Sequence, residues 1–210
     1  NNKNKFSYIL LTTEENEKIT NIAIDEPESF INKYKFIKGF KEGKLFYESI
    51  EKNGISKSKL KIYDFKVKKI PLLAKILSLA SFQGIADILT GEGIRFDEFD
   101  MNYESNNKIT KINEMYSIGP SISILMKGYI EKDKLTSLKG TLVPATGLNK
   151  FIASLPLLGD ILVGKKTGEG VVGVSFKIKG PPNNLKTTVN PIKTLTPRFI
   201  TRTLEKLKGN

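Results

Sequence analysis

Carboxylates, lysines and glycines carry whatever chemistry this 210-residue chain can do, because it contains neither histidine nor cysteine. That composition removes imidazole general bases, thiolate nucleophiles, zinc sites built on either, and disulfides. The best carboxylate constellation is Asp97, Glu98 and Asp100. Paired carboxylates are the machinery of glycoside cleavage. Strand alternation, however, sets Glu98 and Asp100 on the face opposite Asp97, and no Trp is present to form a sugar platform. The expectation is therefore a solvated charge run, with no catalytic residue, no metal, no cofactor and no enzymatic activity.

Two glycine-rich stretches remain, Gly91-Glu92-Gly93 and GKKTGEGVVG over Gly164 to Gly173. Neither fits a phosphate loop, which needs GxxxxGK followed by Ser or Thr. In the second, the lysines precede the glycines and a strand pattern follows, so a turn feeding a strand is the simpler reading. A third candidate is KSKLKIYDFKVKK, Lys57 to Lys69, where Tyr63 and Phe65 interleave with cations. Aromatics among cations suit single-stranded nucleic acid. An edge strand guarded by lysine accounts for the same pattern, and no nucleic-acid signature accompanies it.

The net charge is +12, yet only Arg95, Arg198 and Arg202 are arginine among 34 basic residues. Phosphate and base recognition favours the arginine fork. Lys- and Asn-heavy usage is what an AT-rich genome gives whatever the function, so we read the charge as compositional background and expect no nucleic-acid partner.

The elements that would position these residues are mostly strands. Val172, Val174, Phe176 and Ile178 alternate with Gly173, Ser175, Lys177 and Lys179, which marks a strand with one apolar face. Ile122, Ile124 and Met126 do the same. Phe6–Leu11 and Lys18–Ile24 flank a polar loop as a hairpin. A second hairpin opens at Leu45 and Tyr47, turns at Lys52-Asn53-Gly54, and returns over Leu60–Val67. A short helix, Glu26–Ile37, separates the hairpins. Four strands follow from Ile94 to Val143. A phase change between Phe96 and Phe99 predicts a bulge near Asp97-Glu98. Ile109, Ile112, Met115 and Ile118 recur every three residues, a helical spacing, but Gly119-Pro120 and the strands on either side favour strand. Apolar helices are predicted over 71–89 and 146–162, and a terminal helix over 195–208. No stretch has the roughly 20 uninterrupted apolar residues of a membrane span, and no secretory signal is present, so any export signal or anchor is expected to lie outside this chain. The predicted class is mainly β with helices (α+β), its domains being a sheet region over 1–190 and a C-terminal helix and tail over 191–210.

From about Glu26 onward the chain resembles the C-terminal region of AsmA-like proteins, of the YhdP type, from the Gram-negative envelope. The likeness rests on four ordered segments. EPESFINKYKFIKGFKEGKLFYES carries a short helix and a strand opening at Gly39 and Gly43. IPLLAKILSLASFQGIADILTGEGIRFDEFDMNY carries an apolar helix, Gly91, Gly93 and a G-I-x-F-D strand. SIGPSISILMKGYIEKDKLTSLKGTLVPA carries Gly119-Pro120, Gly128 and Pro144. SLPLLGDILVGKKTGEGVVGVSFKIKGPPNNLKTTVNPIKTLTP carries a late apolar helix and a V-N-P ending. The resemblance implies a curved antiparallel meander sheet with an apolar groove, partly covered by two or three helices. It implies phospholipid transport between membranes and outer-membrane integrity, in the periplasm, with inner-membrane attachment through upstream sequence. Phospholipid acyl chains would be the partner, and the membrane contact of this region peripheral. Acyl chains would lie against Ile122, Ile124, Met126, Val172, Val174, Phe176 and Ile178, provided the two strands share a face. An envelope scaffold without lipid cargo and a basic nucleic-acid-binding module are the rival readings.

Overall fold

The computed structural model describes residues 5–33, 38–145, 173–193 and 195–208. The predicted helix over 146–162 and residue Val172 lie outside them.

Among the described residues, ten strands form one open antiparallel sheet in strict sequence order, and about 60% of those residues are strand. They are β1 (Ser7–Glu14), β2 (Glu17–Ile24), β3 (Lys38–Lys52), β4 (Ile55–Lys68), β5 (Ile94–Ser105), β6 (Ile109–Ile118), β7 (Ile122–Glu131), β8 (Leu135–Pro144), β9 (Gly173–Gly180) and β10 (Lys186–Ile192). The helices are α1 (Glu28–Ile31), α2 (Pro71–Leu79), α3 (Gln83–Thr90) and α4 (Pro197–Lys208). Two-residue turns join β1 to β2 and β3 to β4, and such a turn leaves the next strand no neighbour but the last one. The longer connections after β2, β4 and β8 return to the adjacent position as well. The turn between β3 and β4 is Asn53-Gly54 with φ of 52° and 72°. Both angles are positive, as the twist-matched hairpin turn requires.

One face, the core face, carries the main hydrophobic cluster and is covered by α1, α2 and α3. The opposite, far face is mostly polar, except where Phe199 of α4 and the preceding Leu195 pack onto Val143. The phase change in β5 is present, but without the inserted residue that the sequence suggests. Tyr63 faces Glu98 and Phe65 faces Phe96 in unbroken register. Both strands switch apolar parity together, and Asp64 sits at φ 51°. Phe65 then stacks between Phe40 at 5.4 Å and Phe96 at 5.5 Å.

The spacing of three in β6 has a different cause. Against β7 the register shifts between Ile112 and Met115. Asn113 and Glu114 together oppose one residue, so Ile112 and Met115 point the same way. The 71–89 segment is two helices rather than one. Ser81 at φ 61° ends α2, its N–H donating to Ser78 O (3.1 Å) and that of Phe82 to Leu77 O (2.9 Å). That pattern is a Schellman stop with serine in the left-handed position glycine usually takes.

Candidate functional site

Cross-strand pairing answers the question the alternation left open. Ile124, Leu142 and Val174 stand opposite one another on β7, β8 and β9, and so do Met126, Gly140 and Phe176. Ile122, Ile124, Met126, Val174, Phe176 and Ile178 therefore share the core face. Five of them are buried and Met126 is half-buried. Ile122 and Ile178 expose 0% and 1%. A bare glycine makes room for the largest of them, since a Cβ at Gly140 would sit 2.5 Å from Phe176 Cζ.

The register also assembles a feature that alternation alone does not show. The chain has three methionines, and Met101, Met115 and Met126 lie directly opposite one another on β5, β6 and β7. The same row continues through Leu60, Tyr47 and Ile22 on one side and through Gly140, Phe176 and Val189 on the other. Its members from Ile22 to Met126 are half-buried, whereas the neighbouring row of Leu45, Ile62, Phe99, Ser117, Ile124, Leu142 and Val174 is buried except at Phe99, which is half-buried. Met101 has the parity of Phe99 and Tyr103, which was readable, but Met115 reaches the row only through the β6 bulge. Nothing in the linear sequence signals that shift.

Polar groups border the stripe. Ser58 Oγ lies 2.9 Å from Ser49 Oγ and 3.2 Å from Tyr47 Oη. On β10, Thr187 Oγ1 is buried on the core face without a hydrogen-bond partner among the described residues. One shallow hollow of about 300 Å³ lies at this border, at Ser49, Ser58, Tyr103 and Asn113, and another of the same volume lies at Phe46, Lys59 and Tyr63. Glu48 and Lys59 line both, and neither reaches the methionines. Charged walls suit acyl chains poorly.

The expected solvated carboxylate run is corrected at Asp100. Only 4% of it is exposed, because it faces α4. Arg202 Nη2 donates to Asp100 Oδ2 at 3.1 Å. Arg202 Nε lies 2.9 Å from Glu114 Oε1, off the line of a hydrogen bond. Glu114 also receives both Nε and Nη2 of Arg198, and that guanidinium holds the Glu114 carboxyl below its ordinary value against the opposing effect of burial. Tyr116 packs edge-on against Phe199, under the Arg202 guanidinium. The cluster clamps α4 to the sheet. Its carboxylates are already ion-paired, which leaves them poor general acids or bases.

Comparison with family models, with curated proteins and with solved structures finds no match to this chain.

Proposed function

We propose that this chain is a lipid-handling domain of the bacterial envelope, non-enzymatic, which holds or passes phospholipid acyl chains along the core face of its sheet. The observation that carries the reading is the half-buried row of Met101, Met115 and Met126, running through Leu60 and Tyr47 towards β2. Methionine is unbranched and polarisable, so a row of it adapts to a chain of varying length and unsaturation. Each methylene withdrawn from water contributes about 0.8 kcal/mol. The buried Thr187 hydroxyl, without a partner among the described residues, gives the same face a polar atom for an ester or bound water.

A curved sheet is part of the proposal. Supporting it, α2 follows β4 directly and also contacts β10. Six strand spacings of a flat sheet span about 29 Å, whereas nine helical residues span about 13 Å. Curling about the core face brings β4 and β10 to one helix. The likeness to AsmA-like proteins agrees with this shape and supplies the periplasmic, membrane-attached setting.

A packed scaffold without cargo is the second reading, favoured by the complete burial of Ile122 and Leu142. One experiment separates them. Purified protein is incubated with vesicles carrying a fluorescent phospholipid, re-isolated, and assayed for bound label beside its melting temperature. Wild type should acquire label. Met115→Glu should lose most of it while melting within a few degrees of wild type, because its site is half-buried. Val174→Glu should fail chiefly by unfolding. A wild type that takes up no lipid, or a Met115→Glu protein that takes up as much, leaves the scaffold reading.

A further inference from the structure

The far face divides its charges unevenly along the sheet. Across β2 to β5, acids stand among the lysines: Glu17 faces Lys52, Lys59 faces Glu48, Lys57 faces Glu104 and Lys61 faces Asp100, and where Lys41, Lys66 and Arg95 stand opposite one another Glu42 pairs with Arg95. Across β7 to β10, lysines meet lysines. Lys127, Lys139 and Lys177 stand directly opposite one another on three adjacent strands. Lys179 faces Lys186 in the next row, which continues through Ser137 and Tyr129 to Lys111. Every one of these lysines is exposed. The two acids on strands β6 to β10 are taken, Glu114 by Arg198 and Arg202 and Glu131 by Lys134. Like charges directly opposite on a sheet oppose its pairing. A uniform compositional bias would not sort the acids onto one half.

We infer that the lysine face of β7 to β10 docks onto an anionic bilayer surface. The ladder places ammonium groups one strand spacing apart, about 4.8 Å, close enough for neighbouring lysines to share a lipid phosphate. Tyr129 and Ile109, both about a third exposed, lie on the same face beside Lys111. An aromatic and an aliphatic residue among lysines match the headgroup and acyl boundary of a membrane. Nucleic acid is the poorer fit. The chain's three arginines are all engaged with acids, so no guanidinium fork is free for a phosphate or base. This surface is opposite the methionine row, and docking stands or falls independently of acyl-chain binding.

The test is co-sedimentation with vesicles of phosphatidylcholine alone or mixed with phosphatidylglycerol. Wild type should bind only the mixed vesicles, less tightly as chloride rises. Each lysine near an anionic surface contributes roughly fivefold in partitioning, so Lys127→Gln, Lys139→Gln and Lys177→Gln together should weaken binding about a hundredfold. Relief of like-charge repulsion should leave this triple variant's melting temperature no lower than that of wild type. If the triple does not fold, Lys139→Gln alone should still show the fivefold loss. The matched control removes Lys52, Lys57 and Lys59 instead and should keep most of the binding. Wild type indifferent to phosphatidylglycerol, or equal losses in the two triples, overturns the inference. So does release by inorganic phosphate at an ionic strength where chloride has no effect, or tighter binding to a single-stranded oligonucleotide at equal phosphate concentration.

Discussion

Arg202 is the residue whose role the sequence concealed most completely. Simple parity predicts that Asp100 and Asp97 face apart, an assignment that the phase change between Phe96 and Phe99 removes, and the partner of Asp100 lies 102 positions away. Only the docking of α4 reveals that this carboxylate is buried. Taking Arg202 away leaves Asp100 buried without its counter-ion, and breaking such a pair costs about 3–5 kcal/mol. Arg202→Met should therefore lower the urea midpoint sharply, whereas Arg202→Met combined with Asp100→Leu should recover much of the loss. A double variant as unstable as the single would mean that the pair is not what Arg202 supplies. The clamp also responds to pH. Because the folded Glu114 carboxyl is held below its ordinary value near 4.5, its contribution is fully present above that value and is lost as pH falls through the lower folded one. Amide exchange in α4 should accelerate under acid before exchange in β5 does. Uniform acceleration would show that α4 and the sheet open together.

At the scale of elements, strands were legible wherever an alternating run ended in a recognisable turn, as at Asn53-Gly54. Legibility failed where a local backbone event rephased the pattern without a glycine to announce it. Asp64, Ser81 and the β6 bulge at Asn113-Glu114 are the three cases. Ser81 is the most easily tested. Its left-handed conformation costs a non-glycine residue about 1 kcal/mol, and its side chain is exposed. Ser81→Gly removes that steric cost and adds unfolded-state entropy, so the two partly cancel. The expected net gain is a few tenths of a kcal/mol, up to about 1, read as a small upward shift in denaturant midpoint. Ser81→Val should fall below wild type, since branching at Cβ is least tolerated there. The helix pattern of 71–89 was correct in its apolar periodicity and blind to the break, because the Schellman hydrogen bonds are made by backbone.

For the whole molecule, the pairing within each hairpin followed from turn lengths, while the adjacency of strands across the long connections after β2, β4 and β8, and the choice of which face the helices cover, followed from tertiary packing. The two edges of the open sheet are built differently. On β10, Pro191 removes a donor, Lys186 adds charge, and α2 packs nearby. Such features blunt an edge. On β1, Tyr8, Ile9, Leu10 and Leu11 are each more than half exposed, with no charge or proline between Phe6 and Thr13. Asp25 N–H donates to Phe6 O, so by alternation Phe6, Tyr8, Leu10 and Thr12 bond towards β2, and Ser7, Ile9, Leu11 and Thr13 aim their backbone groups outward. A two-fold axis through Leu10 would pair Ser7 with Thr13 and Ile9 with Leu11 of a second copy, using all four outward residues and setting Lys5 opposite Glu15. The chain on its own should therefore self-associate as concentration rises, seen as growing light-scattering mass. Ile9→Lys with Leu11→Lys places two like-charged pairs in that register and should hold the protein monomeric. Both sites are exposed, so the melting temperature should stay within a few degrees. Wild-type protein that remains monomeric at high concentration, or a double variant that associates as readily, would show that the β1 edge is adequately protected by the chain itself.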